Sequence, residues 1–140
     1  LIIYLIKRGI FSRNKHMHKT ILIVEDDAIL QKTLSEYLQT DGFEVKVASD
    51  GEEATKLLSD LMPDLILLDI ILPKKDGYEI VKEVRADEKK KDIPIVLLTN
   101  LGSVNDVEKA LELGATTYLV KADYTLEEVV GKIKALLELE

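Results

Sequence analysis

The stretch "DLILLDIILPKKDG" (64–77) sets a single carboxylate, Asp69, into a run that is otherwise Leu or Ile from Leu65 to Leu72. An ionised carboxylate buried among such side chains carries a heavy desolvation penalty. A chain that keeps one there either neutralises it or puts it at the exposed end of a strand, facing a partner group. "LILL" (65–68) is apolar at every position, so it reads as a strand buried on both faces, as in a parallel sheet covered by helices.

The same rhythm runs outward from it. Strand-length apolar runs are "TILIV" (20–24), "FEVKVA" (43–48), "LILL", "PIVLL" (94–98) and "TTYLV" (116–120). "LILL" and "PIVLL" suit central positions, whereas "FEVKVA" alternates, with Glu44 and Lys46 on one side, and suits an edge. Segments between them have helical spacing: Leu30, Leu34, Tyr37 and Leu38 share one face, as do Val129, Ile133, Leu136 and Leu137. Gly42 and Gly114 stand where helix C-cap glycines stand. Asp50 with Glu53, and Thr125 with Glu128, have capping-box spacing, and Asp76-Gly77 reads as a turn into a helix. Five strands alternating with five helices predict a doubly wound α/β domain.

Composition narrows the chemistry. There is no cysteine, and the only histidines, His16 and His18, lie in the first 20 residues. Thiolate metal sites and histidine-based triads are therefore excluded. Residues 1–16 hold four bases (Lys7, Arg8, Arg13, Lys15) and no acid, leaving 15 bases against 26 acids in 17–140, a formal charge of −11. Such a domain is repelled by nucleic-acid backbone and by anionic membrane, and suits a divalent cation. The apolar run Leu1–Ile6 is too short to span a bilayer and lacks the layout of a signal peptide. We expect 1–16 to be an upstream extension, disordered or a non-native start, and 17–140 to be the working domain.

In a parallel sheet the C-terminal strand ends share one edge, where ligands bind. That edge here receives Glu25, Asp26 and Asp27 after the first strand, Asp69 after the third, Thr99 and Asn100 after the fourth, and Lys121 after the fifth. Three clustered carboxylates cannot all stay ionised without a counter-charge. Mg²⁺, which takes oxygen ligands and keeps several waters, supplies one. Asp69 is then a nucleophile for a phosphoryl group, with Lys121 and Thr99 placed to bind its oxygens.

"ILIVEDD", "DLILLDIILPKKDGYEI", "PIVLLTN" and "YLVKAD", in this order, resemble the receiver domain of two-component response regulators over about residues 19–138. The resemblance implies a flavodoxin-like five-stranded sheet of order 2-1-3-4-5 with five helices. It implies Asp69 as phosphoacceptor, Glu25 and Asp26 with Asp69 at Mg²⁺, and the backbone carbonyl of Ile71 as a further metal ligand. Thr99 becomes the switch hydroxyl, Lys121 the phosphate-binding lysine and Tyr118 the aromatic switch, remodelling the face made by the fourth helix, fifth strand and fifth helix. The resemblance further implies a sensor histidine kinase or a histidine phosphotransfer protein as donor, and a cytoplasmic switch, not an enzyme that turns over a substrate. Because no DNA-binding segment follows in this sequence, output is expected through a protein partner without direct DNA or membrane binding, as a monomer or a phosphorylation-dependent dimer.

Two departures from the family pattern stand out: Ala122 where proline usually follows the lysine, and Asn100 where a small residue usually follows the threonine. The first leaves the Lys121–Ala122 peptide geometry open. By the resemblance, Ile71 and Leu101 flank the approach of water and Asn100 adds bulk beside it, which predicts slow loss of the phosphoryl group. The alternatives are a degenerate receiver that binds partners without phosphorylation, and a Mg²⁺-dependent aspartyl-phosphate hydrolase of the haloacid dehalogenase type. The latter wants its nucleophile on the first strand, where this chain has Glu25-Asp26-Asp27.

Overall fold

The computed structural model describes residues 19–100 and 104–138. Five strands, β1 (Thr20–Val24), β2 (Glu44–Ala48), β3 (Leu65–Leu68), β4 (Ile95–Thr99) and β5 (Thr117–Val120), form one sheet in the order β2-β1-β3-β4-β5. All neighbouring pairs are parallel. Between and after them run α1 (Ala28–Thr40), α2 (Gly51–Asp60), α3 (Gly77–Ala86), α4 (Val104–Glu112), a single 3₁₀ turn (Lys121–Asp123) and α5 (Leu126–Glu138). The predicted flavodoxin-like fold, strand order and helix count are those observed.

Alternation along each strand divides the core in two. Ile21, Ile23, Leu65, Leu67, Val96, Leu98 and Leu119 face α1 and α5, where Leu34, Leu38, Val129 and Ile133 meet them. Leu22, Val24, Ile66, Leu68, Ile95 and Leu97 face the other way, against Leu58, Ile80, Val84 and Ala110 of α2, α3 and α4. Each fully buried Leu or Ile contributes roughly 1.5–3 kcal/mol, so a sheet apolar on both faces is what holds the domain together.

The helix ends follow the sequence signals, with two differences. Gly42 and Gly114 have φ of 95° and 115°, and Thr125 with Glu128 forms a reciprocal capping box. Asp50 caps α2 through the Glu53 N–H at 2.8 Å, but Glu53 reaches back to the Ser49 N–H and not to its cap. Tyr37, expected on the buried face of α1, is 41% exposed. It sits over a groove between α1 and α5, because Leu34 and Leu38 already fill the space against the sheet.

Candidate functional site

The site is made by the strand ends, and the ladder continues one residue past them. The Asp69 N–H donates to the Val24 carbonyl and the Glu25 N–H to the Ala48 carbonyl, both at 3.0 Å. Register pairs Val24 with Leu68, so Glu25 and Asp69 leave adjacent strands side by side. Gly77 keeps the acceptor segment close: a Cβ there would lie 2.6 Å from the Asp69 carbonyl oxygen and 2.7 Å from Ile70 Cα. Its N–H donates to the Ile70 carbonyl at 2.8 Å.

Glu25, Asp26 and Asp69 each bring a carboxylate oxygen within 4.8 Å of the others. Glu25 and Asp69 are buried, and Asp26 is exposed. Lys121 lies between the two buried acids, its ammonium against Glu25 Oε1 and 3.0 Å from Asp69 Oδ2. Burial pushes the Glu25 carboxyl up to about 7; the hydrogen bond from Lys121 opposes this, and the Asp69 charge adds to it. Burial pulls Lys121 down, but its bonds to Glu25 and Asp69 outweigh that, and it is held above the ordinary lysine value. The charged lysine and the proton-prone glutamate are thus two answers to one excess of negative charge.

This donor set fits a hard cation. The groups are carboxylate oxygens at one exposed mouth, the acids crowd one another, and an exposed ligand, Asp26, leaves room for water. Asp27 is not part of the set; it caps α1, accepting from the N–H groups of Ile29 and Leu30. Ile71 is 77% exposed and its N–H donates to Asp69 Oδ1 at 3.2 Å. With Asn100 it lines an open depression of about 660 Å³ that also contains Glu25, Asp69 and Lys121. Grooves of similar size between α1 and α5 and along β5 lack this carboxylate–lysine cluster.

Thr99 is buried at the end of β4, opposite Val120 in register, next to the strand end that delivers Lys121. All peptide bonds among the described residues are trans, including Lys121–Ala122, and Lys121 still reaches Asp69 from the first position of the 3₁₀ turn. Tyr118 is 42% exposed on β5. Leu101 lies outside the described residues.

One residue here escaped the sequence reading. The Gln31 side-chain amide donates to the Glu25 carbonyl at 3.0 Å and to Ser49 Oγ at 3.2 Å. It ties α1 to the ends of β1 and β2 and fixes the backbone that carries the acidic pair. Only its spacing from Glu25, under two helical turns, hints at this.

Fold and site together define a receiver-type α/β domain. The chain belongs to the response regulator receiver domain family, whose model matches residues 21–134. It is 41% identical over 133 residues to a probable transcriptional regulator, ycf27, of Guillardia theta, covering 95% of this chain and 51% of that protein. It is 39% identical over 117 residues to the DNA-binding dual master transcriptional regulator RpaA of Synechocystis, covering 84% and 48%. Among solved structures, the receiver domain of a sensor histidine kinase from Pseudomonas aeruginosa, determined with a magnesium ion coordinated in its active-site cleft, superposes with a TM-score of 0.78 at 30% identity. That match covers 86% of this chain and 98% of that one.

The chain spans about half the length of these curated relatives. The expectation of no direct DNA binding therefore finds no support, since it rested on where this sequence stops and RpaA is a DNA-binding regulator. Among the described residues no helix is long and apolar enough to cross a membrane.

Proposed function

We propose that the domain is the phosphoacceptor switch of a two-component relay, with Asp69 as the site of phosphorylation. The observation that carries this reading is the contact of Asp69 with Lys121 at 3.0 Å inside a cluster shared with Glu25 and Asp26. An Asp69 oxygen attacks phosphorus, the new O–P bond forms, and the P–N bond to the histidine of a sensor kinase or phosphotransfer protein breaks. Lys121 follows the charge from the carboxylate to the phosphoryl oxygens, and the Thr99 hydroxyl donates to one of them. Mg²⁺, held by Glu25, Asp26, Asp69 and the Ile71 carbonyl, supplies the neutralising charge when bound.

Readout runs through Thr99 to Tyr118, whose ring turns inward and alters the surface formed by α4, β5 and α5. The protein then acts as a cytoplasmic switch on a partner that recognises that surface, and its only chemistry is gaining and losing the phosphoryl group. Residues 1–16 are dispensable in this reading, because β1 begins at Thr20. A chain starting at Met17 is expected to melt and to be labelled as the longer one does; marked destabilisation would assign the leader a packing role.

Incubation with acetyl phosphate and Mg²⁺ tests the assignment. The wild-type protein is expected to take up one phosphoryl group that hydroxylamine releases, as it does an acyl phosphate, and Asp69→Asn none. Undiminished labelling of Asp69→Asn moves the acceptor elsewhere. A wild-type protein that is never labelled is a receiver that binds without phosphorylation.

A further inference from the structure

The loop from Asp69 to α3 contains an uncommon turn. The Lys75 N–H donates to the Pro73 carbonyl, two residues back, at 2.7 Å, and Lys74 between them has φ 68°. A three-residue turn with positive φ at its centre is rare and strained when that residue carries a Cβ. Lys74 is the one non-glycine residue with positive φ among the described residues. Such a conformation persists only where its surroundings over-determine it.

Those surroundings come from α2 and α3. The Gly51 N–H donates to the same Pro73 carbonyl at 3.3 Å. A Cβ on Gly51 would stand 2.0 Å from the Lys75 carbonyl oxygen, so helix and loop touch backbone to backbone. Lys74 Nζ lies 3.5 Å from Asp50, the N-cap of α2. The Lys75 side chain, one-fifth exposed, donates to Thr55 Oγ1 at 2.8 Å and pairs with Glu83 of α3. Thr55 Oγ1 is also 3.0 Å from Glu83 Oε2 and donates to it, closing a triangle. Lys75 is the more buried end of this pair and Glu83 the exposed end, and the shared Thr55 hydroxyl fixes a geometry that a lone surface pair lacks.

At its other end the same loop enters the site. Ile71, four residues before Lys75, donates its N–H to Asp69 Oδ1. The bond from the Gly77 N–H to the Ile70 carbonyl at 2.8 Å and the packing of Leu72 on the core tie these two ends into one loop. We propose that Lys75 is a positioning residue. Its triangle with Thr55 and Glu83 holds the strained turn and thereby presents the Asp69–Ile71 segment in the geometry that accepts Mg²⁺ and a phosphoryl group. This rests on the reading of Asp69 and Ile71 given above.

Lys75→Met, which keeps an unbranched side chain and removes the charge, tests it; Thr55→Val repeats the test from the helix side should Lys75→Met be too unstable. In metal-free protein, amide exchange across Ile71–Gly77 is expected to speed up about tenfold, the equivalent of roughly 1.4 kcal/mol. The Mg²⁺ concentration that half-saturates the rise in Tm is expected to increase by a similar factor, and KM for acetyl phosphate to rise more than kcat falls. Adding Lys74→Gly, which takes the turn without strain, is expected to recover most of the loss. Unchanged exchange and an unchanged Mg²⁺ midpoint overturn the proposal, and so does a loss that Lys74→Gly leaves untouched. A wild-type protein indifferent to Mg²⁺ overturns the metal reading instead, and the metal-free exchange comparison still decides whether the triangle holds the loop.

Discussion

β3 and β5 each deliver a residue to the same site, yet they are built in opposite ways. β3 is bonded on both sides, to β1 and β4, and all four of its residues are buried. β5 pairs only with β4, and of its four residues only Leu119 is buried. The difference follows from neighbours, since a central strand fills both layers of core while an edge strand fills part of one. Asp69 thus directly follows a strand packed on both faces, where a displaced side chain would open a cavity. Tyr118 stands on an element where a ring can change place at little packing cost. In the proposed function, acceptance and readout divide along that line.

The largest test of this contrast is a pair of truncations. Leu67→Ala, at 1% exposure on β3, is expected to lower unfolding free energy by about 3–4 kcal/mol through lost transfer energy and a residual cavity. Tyr118→Ala is expected to cost about 1 kcal/mol or less, as substitutions outside the core do. Urea titrations of the two variants measure the gap. Equal losses would show that β5 is as firmly held as β3, and the division would fall.

A smaller effect probes what it costs to place acids beside the central strands. Glu25 leaves β1 next to Asp69, and its carboxyl is raised from an ordinary 4.5 to about 7. In metal-free protein the folded state therefore holds a proton that the unfolded state has released. The stability that this proton contributes is fully present below about pH 4.5 and is lost as pH rises through about 7, on the order of 2 kcal/mol from this one group. Glu25→Gln is expected to flatten that decline and to be the more stable protein at pH 8 in EDTA. Mg²⁺ at pH 8 should restore stability to the wild type and do less for the variant. A wild-type protein that gains stability relative to Glu25→Gln as pH rises from 4.5 to 7 contradicts the sign.

Much of this layout was legible in the sequence because it depends on strands alone. "LILL" announces burial on both faces, and parallel order then sends Glu25, Asp69, Thr99 and Lys121 to one edge without knowledge of any side-chain contact. What was not legible depends on where helices dock. Tyr37 has the right spacing for the core face of α1, but α5 and the sheet leave it no room there. Gln31 and Lys75 read as ordinary polar residues, since their partners, Ser49 and Thr55, are 18 and 20 residues distant and become neighbours only after packing. The acidic charge of 17–140 bears on this domain alone, and says nothing of the half of the relatives' length that lies outside it.

The smallest expected effect concerns how long the phosphoryl group stays, and it belongs to the rim between the two regions. Water must approach phosphorus in line, opposite the bond to Asp69, through the open depression that Ile71 and Asn100 line. Ile71 is 77% exposed, so its side chain is not needed for packing and stands at the mouth without a hydrogen-bonding group to orient water. Leu101, two residues after Thr99 in the sequence as Ile71 is two after Asp69, is likewise apolar. The phosphorylated protein is therefore expected to lose its label slowly. Ile71→Asn with Leu101→Glu is expected to speed that loss about tenfold, which is only about 1.4 kcal/mol of barrier. Following phosphoryl loss after removal of acetyl phosphate decides it, and Ile71→Asn alone separates the β3 side from the β4 side. If the single change gives the whole acceleration, the water is ordered from the acceptor's own strand. If neither variant is faster than wild type, access is set by the backbone around Asp69, and these side chains do not gate it.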